Sequence, residues 1–383
     1  MDFWVSSFVK IKKMLSIKYT GTVLDPSGYG QSNRVDVMAL FVAGANLTVE
    51  PLQQTQFRTN YGVQENIMSY LTGRDTPYKI KILHITPDLY PKYMEDGIYH
   101  IGRLVWETDK LPKEWVEPCN KMNEIWTTTK SIAEVIKSSG VTVPIYTFGE
   151  PIMVQDANEK IAPFITKYKK DFTFYSIFQW IERKNPKTLL RAYWKAFEGK
   201  DDVTLLLKTY RNSYEETEFE TIENEISLWK KELGLKKYPK IFLVKKLLKN
   251  SEMKRFHMMG DCYVNPSSGE GWCRPMVEAM LYGKPAISGV TGGIADLTND
   301  YYQVDSKKVS VKVQTWIPWY KDYMKWDEID EKKLMEAMLD VYYNRERATE
   351  IAKNAQNFVI DNFSLQTIGS KMMLRLHEVE KIL

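Results

Sequence analysis

Short apolar runs alternate along the chain with stretches whose apolar residues recur at helical spacing. In the first half the runs at 17–24, 46–49, 78–85, 124–128 and 143–148 predict strands. Val35, Met38, Leu40, Phe41 and Val42 mark a helix ending near Gly44, and 130–138 a second one ending near Gly140. From 149 to 170, Pro, Asn, Asp and Lys mix without period, which predicts a linker starting near 151. The alternation then resumes, with strands predicted at 172–178, 203–208, 240–244, 261–264 and 285–288. Helices are predicted from Pro186 through Phe197, from about 215 to 233, and over 276–281. Three helical runs, 332–343, 345–358 and 365–383, close the chain. Strands alternating with helices predict an α/β protein with doubly wound parallel sheets.

At 383 residues the chain is long for a single core, so the break near 151–170 divides it naturally into two domains, 17–150 and 171–362. A formal charge of +4, with acids and bases mixed, allows anionic ligands without demanding nucleic acid. Cys119, Cys262 and Cys273 are too few and too scattered for a disulfide framework or a zinc site, which points to a reducing, cytoplasmic compartment. No apolar run reaches the roughly 18 residues of a membrane span. Residues 1–16 form an extension in which Phe3, Trp4, Val5, Phe8 and Val9 precede Lys10, Lys12 and Lys13, the reverse of a signal peptide. The extension reads as a short packed helix or a disordered arm, with an amphipathic helix on an anionic membrane as the alternative.

The chemistry concentrates in 265–289, where a polar, Gly-rich loop follows a strand, Pro275 opens a helix and Gly283 ends it. Glu270 in the loop and Glu278 in the helix are separated by seven residues. Ionised carboxylates accept hydrogen bonds and suit vicinal hydroxyls, while free N–H groups at a helix start suit phosphate. Other loops sit where strands end, the edge at which open α/β sheets bind ligands. They are Asp25-Pro-Ser-Gly-Tyr-Gly-Gln31, the Trp106-Glu-Thr-Asp109 stretch, Glu182-Arg-Lys-Asn-Pro186, and Val290-Thr-Gly-Gly293, with Lys208 closing its own strand. Gly28-Tyr-Gly30 is not the G-x-G-x-x-G fingerprint, which argues against a dehydrogenase. The aromatic residues of 316–326 read as packing under a loop, with stacking on sugar or base as the alternative.

The Glu270/Glu278 stretch resembles the E-x7-E signature of retaining GT-B glycosyltransferases of the family 4 type, the glycosyl transferases group 1, and 99–128 and 176–208 resemble further blocks of that family. The resemblance implies two Rossmann-like domains facing a cleft, with 363–383 crossing back as a helix onto the first. It implies catalytic roles for Glu270, Glu107, Lys184 and Arg183, and donor contacts for Glu278, Lys208, Gly28, Tyr29, Gly30, Gly271, Trp272, Arg274, Gly292 and Gly293. His84, His100 and Asp109 are acceptor-side candidates. The chain departs from the commonest pattern in one respect: Arg183 and Lys184 are adjacent, where the family's phosphate-binding Arg and Lys usually stand several residues apart. The implied co-substrate is a UDP-, GDP- or ADP-sugar and the implied acceptor a hydroxyl on a glycan, lipid or small molecule. No tightly bound cofactor or catalytic metal is implied, and Asp201-Asp202 precedes its strand rather than following it. Transfer onto modified DNA bases, and an inactive nucleotide-sugar or nucleic-acid binding module, are the alternatives.

Overall fold

The computed structural model describes residues 15–52, 63–154, 161–163, 169–313 and 317–383. Most of the N-terminal extension, and with it the expected packed or membrane-lying helix, lies outside these residues.

The first half carries β1 (Ser16–Gly21), α1 (Gly28–Val42), β2 (Asn46–Pro51), α2 (Val63–Thr72), β3 (Ile80–His84), α3 (Tyr90–Tyr93), β4 (Tyr99–Arg103), α4 (Lys113–Asn120), β5 (Glu124–Thr127), α5 (Lys130–Ser138) and β6 (Ile145–Thr147). Its strands form one six-stranded parallel sheet in the order β2-β1-β3-β4-β5-β6. The second half carries β7 (Phe172–Gln179), α6 (Pro186–Ala196), β8 (Val203–Tyr210), α7 (Glu216–Leu233), β9 (Lys240–Val244), α8 (Asn250–Met259), β10 (Cys262–Asn265), α9 (Arg274–Leu281), β11 (Ala286–Gly289) and β12 (Tyr302–Val304). These strands form a second six-stranded parallel sheet, β12-β11-β10-β7-β8-β9. A hairpin follows, β13 (Ser306–Ser310) and β14 (Lys325–Ile329), then α10 (Glu331–Tyr343), α11 (Arg345–Phe363) and α12 (Leu365–Glu380).

Both sheets have a point where the strand order reverses, at β1/β3 in the first and at β7/β10 in the second. Loops diverge there, so a crevice opens at the carboxyl edge. Local sequence builds those loops firmly. Ser27 caps α1 by accepting from the Gly30 N–H at 3.1 Å. Pro186 and Pro275 start α6 and α9 where no intrahelical N–H is needed. Gly283 ends α9 at φ 64°, a conformation that suits a residue without a side chain.

The chain crosses between halves twice, and the crossings touch: the Ile152 N–H donates to the Phe363 carbonyl at 2.7 Å, and Ile152 pairs with Ser364. After the second crossing, α12 lies on α1. Ile368, Met372, Leu376 and Val379 join the first-half core with Ile17, Leu40 and Ile82. Gly369 permits the approach, since a β-carbon there would stand 2.1 Å from the Ala39 carbonyl oxygen. Arg375 fixes the helix further by donating to the fully buried Glu124 carboxylate at 2.7 Å.

Three elements depart from the sequence reading. Between β2 and β3, where the sequence reading places no element, α2 buries Met68 and Leu71. A further helix, α8, occupies 250–259. The 306–329 segment contains the β13–β14 hairpin, whose strands Ser-Lys-Lys-Val-Ser and Lys-Trp-Asp-Glu-Ile are largely polar and carry little of the alternation that marks a half-buried strand.

Candidate functional site

A cleft of about 890 Å³ lies between the carboxyl edges of the two sheets. Its walls come from the start of α1, the 104–107 and 183–184 turns, the end of β8, the 247–254 segment and the 270–278 loop and helix start. The halves meet closely beside it. A β-carbon on Gly269 would lie 2.2 Å from the Glu107 carbonyl oxygen, and one on Gly271 would lie 2.0 Å from Val105 Cγ1. Thr128 donates to the Gly271 carbonyl at 2.6 Å, and Asp296 accepts from the Ser131 N–H at the start of α5 at 2.7 Å.

The 270 loop and the turn after β7, with Glu107 from the loop after β4, bring four charged side chains together. Lys184 Nζ is 2.5 Å from Glu270 Oε1, and Arg183 lies 3.6 Å from Glu270 Oε2 and 3.4 Å from Glu107 Oε1. Arg183 also donates to the Gly269 carbonyl and meets the Tyr320 hydroxyl. Burial opposes both charges at the centre. Lys184 and Arg183 outweigh it for Glu270, which stays below the usual carboxylate range. Tyr320, Glu107 and Glu270 outweigh it for Arg183, which is held firmly protonated.

Lys208 differs from these two cations. It donates to the Tyr214 hydroxyl at 2.9 Å and sits over the Tyr214 ring, 4.5 Å from the centroid. Among the described residues no carboxylate lies within ion-pair distance of it, and burial brings its pKa down to about 7. Glu278, one-quarter exposed on α9, faces the cleft with its carboxylate 3.4 Å from His257 Nε2. Arg274 lines the cleft too, but its guanidinium is engaged by Glu150 at 2.5 Å and by the Pro151 carbonyl. Glu150 in turn accepts from the Ser32 hydroxyl at 2.8 Å. This chain of bonds ties α1, the first crossing and α9 together.

Of the residues singled out from sequence, Gly28, Tyr29, Glu107, Arg183, Lys184, Lys208, Glu270, Gly271, Trp272, Arg274 and Glu278 line the cleft. Six others do not. His84 does lie at the carboxyl end of β3, but it is fully buried, bonding the Tyr19 hydroxyl at 2.6 Å and lying 3.4 Å from Asp36. Asp36 also holds Arg103 at 3.0 Å, so His84 belongs to a core polar cluster, and burial keeps its imidazole below the ordinary range. His100 stands near the amino end of β4 and accepts from the Glu95 N–H, at the wrong edge of the sheet. Asp109 is used structurally, accepting from the Lys325 N–H at 2.6 Å. Gly30 is required by packing, since a β-carbon would lie 2.2 Å from the Asp25 carbonyl oxygen. Gly292 and Gly293 press against the carbonyls of Glu270 and Gly271, where β-carbons would stand 2.4 and 2.0 Å away. Backbone, not a ligand, demands glycine there.

Tyr320, Glu150 and Ser32 line the cleft without having been singled out as site residues. Tyr320 was visible only as one ring of an aromatic patch. Glu150 stands at the end of the first predicted domain, and nothing in its local sequence marks it.

Comparison with known proteins fits this architecture. HepE from Anabaena, solved with UDP and glucose, superposes with a TM-score of 0.66 at 12% identity, covering 95% of this chain and 100% of that one. Sucrose-phosphate synthase from Thermosynechococcus elongatus superposes with a TM-score of 0.68 at 13% identity, covering 96% and 100%. A glycosyltransferase from Rickettsia africae gives 0.66 at 12% identity, covering 96% and 99%. At such identities the likeness is one of fold, and the fold is GT-B. No curated protein matches the chain. The model of the glycosyl transferases group 1 family matches residues 157–358, more than half of the 383, and the chain belongs to that family.

Proposed function

We propose that the protein is a retaining glycosyltransferase that moves a sugar from a nucleoside-diphosphate sugar to a hydroxyl acceptor. The observation that carries this reading is the Lys184–Glu270–Arg183 cluster, set in the cleft at the switch point of the second sheet, with Glu278 on the adjoining helix. The HepE structures with UDP and with UDP-glucose support a nucleotide-sugar as donor.

In this reading Glu278 accepts from the ribose hydroxyls and Glu270 from hydroxyls of the transferred sugar. Lys184, Arg183 and Lys208 face the diphosphate. As the bond from the anomeric carbon to the β-phosphate oxygen breaks, negative charge grows on the leaving phosphate, and fixed cations stabilise that change more than the ground state. The acceptor oxygen bonds to the anomeric carbon on the face the phosphate leaves, and its proton passes to the departing phosphate oxygen. Arg183 and Lys184 are already balanced by Glu107 and Glu270, so Lys208 supplies the uncompensated positive charge. The reading assigns charge neutralisation to these side chains rather than to a metal.

The test is a thermal-shift and hydrolysis screen against UDP-, GDP- and ADP-sugars, with and without EDTA, followed by NMR of the anomeric product. A stabilising donor, hydrolysed equally with EDTA and giving product of the donor's configuration, supports the proposal. An inverted product removes the retaining mechanism, loss of hydrolysis in EDTA removes metal independence, and no stabilisation by any donor removes the donor class.

A further inference from the structure

The described residues of 305–313 and 317–329 leave the second sheet after β12 and pack into the first half. Val311, Tyr320, Met324 and Trp326 join a hydrophobic cluster with Leu83, Leu104, Trp106, Leu111 and Trp115. Polar contacts hold it there: the Asp109 N–H donates to the Lys325 carbonyl at 3.0 Å, the Lys113 N–H to the Tyr323 hydroxyl at 3.0 Å, and Lys321 pairs with Glu114 at 2.7 Å. One consequence is an aromatic wall on the cleft, where Ile317, Trp319 and Tyr320 stand with Trp106 and Trp115. The rings form a continuous set, Trp319 to Trp115 at 5.2 Å, Trp115 to Trp106 at 4.8 Å and Trp106 to Tyr320 at 5.7 Å between centroids. Trp115 and Tyr320 are buried, whereas Trp319 is half-buried. The Trp115 indole N–H has no acceptor among the described residues, although Trp115 lines the cleft. Tyr320 connects the wall to Arg183, and Arg183 to Glu107.

We propose that this wall is the acceptor subsite and that it takes the pyranose ring of a glycoside, stacked by its C–H face on Trp319 with hydroxyls directed to Glu107. The assignment rests on the glycosyltransferase reading and adds the acceptor class to it. A sugar ring presents an apolar face and a polar rim, and so does this cleft: a half-buried indole on one wall, with the Glu107 carboxylate and the Arg183 guanidinium lining the same space. A long acyl or isoprenoid chain needs a longer accessible apolar path than this wall offers, since Trp106, Trp115 and Tyr320 are buried and Ile317 and Trp319 alone of the wall are partly exposed. A phosphorylated acceptor would meet the Glu107 carboxylate.

Saturation-transfer NMR on the full chain tests this, with methyl glycosides of glucose, galactose and N-acetylglucosamine, hexanol as apolar control, and UDP in the same sample. Expected is transfer to one ring face of at least one glycoside, reduced at least fivefold in Trp319→Ala and restored in Trp319→Tyr, which keeps a ring there. Equal transfer in Trp319→Ala overturns the subsite, as does transfer to hexanol with none to any glycoside. The UDP signals report separately on the donor. UDP transfer without glycoside transfer removes the subsite and leaves the proposed function standing. Trp319-dependent glycoside transfer with no transfer to UDP, nor to GDP or ADP in matched samples, keeps the subsite and removes the nucleotide donor.

Discussion

Lys208 gives the sharpest test, because the same physics sets a cost in the free protein and a gain with donor bound. Burial lowers its pKa from 10.5 to about 7, and the Tyr214 hydroxyl with the Tyr214 and Tyr210 rings, none of them a charged partner, face the ammonium. That lowering corresponds to about 5 kcal/mol as an upper figure. Below pH 7 the lysine is charged in both native and unfolded chains, and the native state bears the full penalty. Between pH 7 and 10.5 the unfolded chain holds a proton that the native chain has released, so stability rises with pH through that window. Lys208→Met is therefore expected to raise the melting temperature most at pH 6, with the gain shrinking toward pH 10. Donor affinity should move the opposite way. The diphosphate of a nucleotide-sugar lacks the monoester ionisation near pH 6, so its charge is constant above pH 6. If the charged lysine is the binding form, about one molecule in ten carries it at pH 8, and affinity there falls about tenfold from pH 6, about 1.4 kcal/mol. Calorimetry at pH 6 and 8, in two buffers of different ionisation enthalpy, should show this fall together with uptake of nearly one proton at pH 8. In Lys208→Met both effects should vanish. A pH-independent affinity without proton uptake in the wild type, or no stabilisation of Lys208→Met at pH 6, would refute the reasoning.

Three further outcomes are expected. Glu278→Ala removes a charged acceptor worth about 1.5–3 kcal/mol, so donor affinity by calorimetry should fall about tenfold to a hundredfold; unchanged affinity would end its ribose role. Lys184→Met leaves Glu270 with Arg183 alone, 3.6 Å away, and should lower kcat at least tenfold with a smaller change in donor KM. Wild-type turnover in that variant would shift the phosphate role to Arg183 or Lys208. Gly369→Ala places a β-carbon where the Ala39 carbonyl oxygen lies 2.1 Å away, and should destabilise the fold by about 2–3 kcal/mol in urea unfolding; an unchanged midpoint would mean that α12 can shift on α1 at no cost.

The parallel sheets were legible because buried strands are nearly unbroken apolar runs. The β7 run, Phe-Thr-Phe-Tyr-Ser-Ile-Phe-Gln, is readable without any neighbour. Glu270, Glu278, Arg183 and Lys184 were legible because each sits in a short motif at a strand end, and topology brings strand ends together. His84 shows where such reasoning stops: its position at a strand's carboxyl end was readable, but its rotation into the Tyr19–Asp36–Arg103 cluster depends on residues up to 65 positions away. Gly292 and Gly293 were visible as glycines, yet sequence does not distinguish room for a ligand from room for the Glu270–Gly271 backbone. The 306–329 hairpin was hidden because its strands are polar and its aromatics, buried Tyr320 and half-buried Trp319, pack on Trp106 and Trp115, about 200 residues earlier.

The touching crossings at Ile152 and Ser364 have a mechanical consequence. Two bodies joined by a pair of adjacent chain crossings have a natural axis of rotation through that pair, and little freedom to slide. Opening such a joint wide enough for the proposed nucleotide-sugar to pass would leave the axis intact and part what lies away from it. The bonds that part include Thr128 to Gly271 and Ser131 to Asp296. Each is worth about 0.5–1.5 kcal/mol net, so together they form a clasp of a few kcal/mol. Weakening either bond is expected to quicken exchange of the proposed donor, read as a faster dissociation rate, without touching the chemistry.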